Sequence, residues 1–238
     1  MEGAPPNSTL DVCPVCGGRQ FASKPILWPG LVEQWKLSIN EVDYINLQQG
    51  FYCRDCKNNL RAMTLAAAVT NAFGFGGSFK EFCLTDPTIR ESVVLEINAA
   101  GELSPFLQLL PKHSQHSFPD VDMQRMNFES ASIDVIIHSD TLEHIPNSRA
   151  ALKESWRILK TGAHLFYTVP IVVGRLTRSR RQLPPSYHGT AETAREDLRV
   201  QTEYGADFWC EILEAGFRNL VLTTLIFPAS VAISATKT

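Results

Sequence analysis

At roughly 100 to 200 residues per domain, 238 residues allow one catalytic-sized domain plus a small lobe and exclude a large multidomain assembly. Hydrophobic residues at 44% and charged residues at 20% exclude disorder throughout and predict a packed core. A formal net charge of −3 and a pI near 6.1 exclude a whole-chain basic footprint of the kind that binds nucleic acid by neutralising phosphates.

The opening residues MEGAPPNSTLDVCP hold no basic start followed by an apolar run, so no secretory signal is read and a cytoplasmic, thiol-reducing location is expected. In that setting six cysteines are expected to bind metal or to be buried, and spacing separates the two cases. Cys13-Pro-Val-Cys16 and Cys53-Arg-Asp-Cys56 are two CxxC pairs with thirty-six residues between them. Two residues between thiolates let one tight turn present both sulfurs to one ion, and two such turns complete a tetrahedral zinc site with no open position. The expectation is a structural zinc on Cys13, Cys16, Cys53 and Cys56 in a ribbon-like lobe over residues 1–57, contributing on the order of 10 kcal/mol to folding. Trp28, Trp35 and Tyr44 are expected to pack that lobe; Cys83 and Cys210, lacking partner spacing, are read as buried apolar side chains.

Residues 58–73, rich in Ala, Leu and Met without Pro or Gly, read as a helix that Gly74, Gly76 and Gly77 end, and 58–90 reads as a connecting helix and linker. From 91 to 238 short apolar runs alternate with helical stretches. Strands are predicted over 92–97, 133–138 and 163–169, helices over 102–110, 149–159 and 205–215, and a closing strand pair over 220–227 and 230–236 with a turn at Pro228-Ala229. That alternation predicts an α/β domain, a Rossmann-like mainly parallel sheet with helices on both faces and a closing antiparallel strand. The greasy 220–236 segment, broken by Thr223, Thr224, Pro228 and Ser230, predicts strands and no membrane span.

In such a sheet ligands bind beyond the carboxyl ends of the strands, so the loops after each strand matter most. They read Glu96-Ile97-Asn98-Ala99-Ala100-Gly101, then Ser139-Asp140-Thr141-Leu142-Glu143-His144, then Pro170 with a tail of arginines. The run DMQRMNFESASIDVIIHSDTLEHI, with Asp122 twelve residues before Asp134, the run from Ala150 to Gly162 (AALKESWRILKTG) and the late Ala215-Gly216-Phe217 follow in order. Over residues 92–217 the chain thereby resembles the class I S-adenosylmethionine-dependent methyltransferases. The resemblance implies S-adenosylmethionine as cofactor, with Glu96, Asn98, Ala99, Ala100, Gly101, Ser117, Asp122, Met123, His138, Ser139 and Asp140 around it.

The chain departs from that pattern in two ways. The family's glycine loop would place Gly at 98, 100 and 102, where this chain has Asn98, Ala100 and Glu102; Asn tolerates a left-handed backbone and Ala is small. Only twenty-six positions separate Glu96 from Asp122, too few for a complete second strand, helix and third strand, so one sheet unit is expected to be shortened. No carboxylate is placed for the ribose hydroxyls; Ser117 and Asp120 are the substitutes on hand.

Methyl transfer at a sulfonium needs alignment first, worth up to about 7 to 11 kcal/mol, and a general base second. His144, after a strand that ends at the pocket, is the first candidate base, and a histidine that merely orders its loop fits the same position. His188, in a loop with Pro184, Pro185 and Tyr187, is the second, and that loop also reads as a rigid lid. Arg175, Arg178, Arg180 and Arg181 either grip an anionic acceptor beside Tyr187 or form a solvated basic loop neutralised by Glu192, Glu196 and Asp197. The leading expectation is a methyltransferase acting on a small-molecule or glycan-linked acceptor. RNA methylation, with Arg54, Lys57 and Arg61 near the second knuckle, and a scaffold that lost its cofactor are the competing expectations. Sequence leaves oligomeric state open.

Overall fold

The computed structural model describes residues 10–187 and 196–238. Its elements, in chain order, are β1 (Phe21–Ser23), α1 (Pro29–Trp35), α2 (Ile39–Gly50), β2 (Phe51–Cys53), α3 (Leu60–Ala72), α4 (Phe79–Thr85), α5 (Pro87–Glu91), β3 (Val94–Ile97), α6 (Ser104–Leu107), β4 (His113–His116), β5 (Ile133–Ser139), α7 (Ser148–Ile158), β6 (Leu159–Thr168), β7 (Ile171–Val172), β8 (Arg178–Ser179), β9 (Thr202–Gly205), α8 (Cys210–Glu214), β10 (Asn219–Thr223) and β11 (Ala232–Thr236). They fall into two compact units.

The first unit takes the chain up to Glu91 together with Gly101–Pro111 and Leu222–Ile233. Its centre is α3, where every residue from Leu60 to Thr70 is buried, including Arg61, whose guanidinium donates to Gln48 Oε1 at 2.8 Å. Asn59 starts it, its side chain accepting from the Ala62 amide at 2.9 Å. Ser38 with Glu41, and Ser78 with Glu81, form capping boxes that start α2 and α4. β1 and β2 pair antiparallel, and Phe21 stacks on Phe51 with ring centroids 5.2 Å apart. Cys83 is buried, as read from sequence. Trp35 and Tyr44 are half-buried, but Trp28 is 44% exposed, so it does not pack the lobe.

The second unit comprises Ser92–Ala100, Lys112–Val221 and Ser234–Thr238. The main sheet has six strands in the order β10-β11-β6-β5-β3-β4. The pairs β3 with β4, β3 with β5 and β5 with β6 are parallel. Val94–Ile97 is buried throughout, as in a strand covered on both faces, with Glu96 the one charged side chain in it. The shortened unit is visible: the chain makes one strand, β4, and then passes to β5 without another helix and strand between. Phe166 and Tyr167 are core, and half-buried Trp156 carries the Lys237 ammonium 4.1 Å above its ring.

Three sequence expectations need correction. The helix expected over 102–110 is a 3-10 turn at Gly101–Leu103 and the four-residue α6, and Pro105, lacking an amide, cannot continue a helical ladder from the residues before α6. The helix expected over 205–215 is confined to α8; Thr202–Gly205 is instead a strand in a second sheet, order β7-β9-β8. Gly205 is held there because a side chain on it would collide with the Arg175 carbonyl, so tertiary approach overrides local pattern. Cys210 is half-buried, as the shorter helix leaves it near its start. Among the described residues no helix is long and apolar enough to cross a membrane.

Candidate functional site

The first unit holds a four-sulfur cluster. In each knuckle the residue after the second cysteine takes a left-handed backbone, Gly17 at φ 78° and Lys57 at φ 63°. Its amide donates back to the first cysteine's carbonyl, Gly17 to Cys13 at 2.8 Å and Lys57 to Cys53 at 2.9 Å. The two turns therefore share one geometry, with β1 and β2 setting the second beside the first. The Sγ atoms of Cys13 and Cys56 lie 3.7 Å apart, as do those of Cys16 and Cys53, and all four fall within 4.8 Å. A tetrahedral zinc with bonds near 2.3 Å requires sulfur separations of about 3.8 Å, so the residues fit the ion. The Gly18 amide donates to Cys16 Sγ at 3.4 Å, and any side chain at Gly18 would run into Asp55. Contact with Cys13 pushes the Cys56 thiol down to about 5, and burial pushes Cys16 up to about 11. Crowded thiols of this kind are the environment a divalent ion neutralises.

In the second unit the strand tips converge on Asn98. It takes the left-handed region, φ 58°, where the family pattern has glycine. The Asn98 amide donates to the His116 carbonyl at 2.8 Å, and its Nδ2 donates to Thr141 Oγ1 at 3.3 Å. Its Oδ1 accepts from the Phe118 amide at 3.4 Å. One side chain thus ties the ends of β4, β3 and β5. Beyond it the Ser139 and Thr168 hydroxyls meet at 2.8 Å, and Asp140 takes φ 49° with its amide on the Thr168 carbonyl at 3.0 Å.

The residues implied for the cofactor divide by burial. Asn98, Ala99, Gly101, Ser117, Asp122, Ser139 and Asp140 are exposed or half-buried, and Asp122 accepts locally from the Gln124 amide at 2.9 Å. Glu96, Ala100, Met123 and His138 are buried. Glu96 spends its oxygens inside the protein, one accepting from the Ala100 amide at 2.7 Å and the other paired with His113 Nε2 at 2.8 Å. His138 is fully buried and stacked on Tyr167, centroids 4.9 Å apart. Neither of its ring nitrogens has a hydrogen-bond partner among the described residues, and burial pushes its imidazole down to about 3.

His144 sits in a 3-10 turn after β5. Its Nδ1 lies 3.1 Å from the Arg199 carbonyl, which can only accept, so Nδ1 carries the proton and Nε2 keeps its lone pair in the neutral ring. Nε2 is 3.7 Å from the buried Glu143 carboxyl group. The Glu143 carbonyl accepts from the Gln201 amide at 2.7 Å, so the segment leading into β9 fixes this turn. Sequence reading passed over Glu143 although it directly precedes His144, and had no signal for Arg199, which acts through its backbone.

The arginine cluster is largely occupied. Arg180 and Glu203, 3% and 4% exposed, form a buried ion pair, and Arg178 Nε reaches the other Glu203 oxygen at 2.5 Å. Arg180 also donates to the Pro184 carbonyl at 2.7 Å, and Arg181 to the Pro146 carbonyl at 3.3 Å. Glu203, which the sequence reading did not name, pairs with both arginines; Glu196 instead binds Arg199 at 3.1 Å and accepts from Tyr187 at 3.3 Å. The acceptor roles read for Arg178 and Tyr187 thus compete with intramolecular partners. Arg175 is half-buried, with its carbonyl accepting from the Ala206 amide at 2.7 Å. His188 and Glu192 lie outside the described residues.

Residues 87–167 match the family model described as methyltransferase domain. Among solved structures, the chain is similar to an S-adenosylmethionine-dependent methyltransferase of Thermotoga maritima, at 15% identity over 75% of this chain and 90% of that one with a TM-score of 0.43. It is also similar to one from Mesorhizobium loti, at 12% identity over 63% and 93% with a TM-score of 0.41. No curated protein matches it. The matched segment, from α5 through most of β6, is thus similar to a methyltransferase domain.

Proposed function

We propose that this methyltransferase acts on a small-molecule or glycan-linked acceptor, at oxygen or nitrogen, with His144 as general base. The observation that carries the reading is the His144 turn: one nitrogen is fixed on the Arg199 carbonyl and the other is held beside a buried carboxylate. S-adenosylmethionine, when bound, supplies an electrophilic methyl on a sulfonium that leaves with the bonding pair. Asn98, Ala99, Ser139 and Asp140 would hold it at the strand tips, where the left-handed turn at Asn98 lets the backbone curve without glycine. Asp122 is proposed for the adenine and Ser117 for the ribose. His144 Nε2 takes the acceptor proton as the new bond to carbon forms, and Glu143 steadies the resulting imidazolium. Arg175 and Arg178, with Tyr187, are proposed for an anionic group on the acceptor. We further propose that the zinc lobe is structural and that its closed site takes no part in the chemistry.

Calorimetry with S-adenosylmethionine, followed by transfer of a labelled methyl group to panels of small hydroxyl and amine acceptors and to RNA, tests this. Donor binding with label on small acceptors supports the proposal. Label on RNA alone would overturn the acceptor class, and absence of donor binding would overturn the enzymatic reading.

A further inference from the structure

A donor loop without the expected glycines must be held in its turn by something else. Among the described contacts of residues 98–101, the Ala100 amide is fixed by a side chain, Glu96, at 2.7 Å. Glu96 is fully buried, and a buried carboxylate is poorly compensated unless a donor also meets its other oxygen. That donor is His113 Nε2 at 2.8 Å, on a ring only 6% exposed. His113 opens β4 opposite Val94, two residues before the register position of Glu96, so the ring must lean along the strand to reach it. An imidazole has that reach and keeps a rigid donor.

We propose that His113 is a positioning residue for the donor loop: it fixes the Glu96 carboxylate, which holds the Ala100 amide and keeps residues 98–101 in the turn that receives the methyl donor. The proposal rests on the methyl-donor reading of that loop. His113 touches neither donor nor acceptor; its effect passes through Glu96.

The full-length protein and its H113A, H113Q and H113N variants are compared by amide hydrogen exchange of the segment around Ala100 and by calorimetry with S-adenosylhomocysteine. In H113A the Ala100 amide is expected to exchange at least tenfold faster and product affinity to fall about tenfold, with KM for the donor rising and kcat at saturating donor little changed. H113Q, long enough to reach Glu96, is expected to restore both readouts to within about threefold, whereas the shorter H113N is not. Wild-type exchange and affinity in H113A would overturn the proposal. Should H113A fail to fold, equal exchange and affinity in H113Q and H113N would overturn it. Failure of the donor reading shows separately, as no heat from wild-type protein with either S-adenosylmethionine or S-adenosylhomocysteine. The exchange comparison then still decides whether His113 holds the turn.

Discussion

Replacing His138 by Phe tests how the buried face of the second unit is built. The His138 ring is fully buried, stacks on Tyr167 and leaves both nitrogens without a partner among the described residues. Burial pushes its imidazole down from 6.5 to about 3, so the folded protein refuses a proton that the unfolded chain accepts. The sign follows: the contribution is fully present above pH 6.5 and is lost progressively as pH falls toward 3. At about 1.4 kcal/mol per pH unit, moving from pH 7.5 to 5.0 costs the wild type about 2 kcal/mol at this residue alone, and H138F nothing. H138F keeps an aromatic ring of similar size over Tyr167 and removes two uncompensated polar atoms, so at pH 7.5 it is expected to be neutral or stabilising. Urea unfolding of both proteins at the two pH values, followed by far-ultraviolet dichroism, gives the double difference in which other titrating groups cancel. A double difference near zero would refute the account.

Removing one zinc ligand, C16S, is expected to abolish one bound zinc per chain by elemental analysis and to melt the cysteine lobe, since the ion's contribution is on the order of 10 kcal/mol; an unchanged dichroism spectrum in the metal-free variant would contradict this. Substituting His144 by Ala is expected to lower kcat by about 10²- to 10⁴-fold on an acceptor that must lose a proton while leaving donor affinity unchanged by calorimetry. E203Q strands Arg180 in a buried site and is expected to cost about 3 to 5 kcal/mol in denaturant unfolding, with much of the loss recovered in an R180M/E203L double variant.

Locally encoded features were legible in the sequence. CxxC spacing specifies how two sulfurs are presented within one turn, and the structure brings both pairs into a single four-sulfur cluster. The β-branched runs around Val94 and Ile136 specify strands covered on both faces, and the left-handed turn at Asn98 was compatible with its residue type alone. Helix boundaries failed where distant contacts intervened: Gly205 joins a strand because the Arg175 carbonyl approaches it, which no window of neighbouring residues can register. The same holds at the site. Four arginines in seven residues announce charge, but only folding brings Glu203 between two of them and so changes a candidate anion grip into an internal ion pair. His113 and Glu96 lie seventeen positions apart and meet because parallel strands set them side by side. Sequence by itself determined what each segment tends to form and which atoms it carries, because propensity and spacing act over a few residues. Which donors and acceptors satisfy each other was decided by the tertiary structure, because a buried charge can be compensated only by whatever the fold delivers within hydrogen-bond reach.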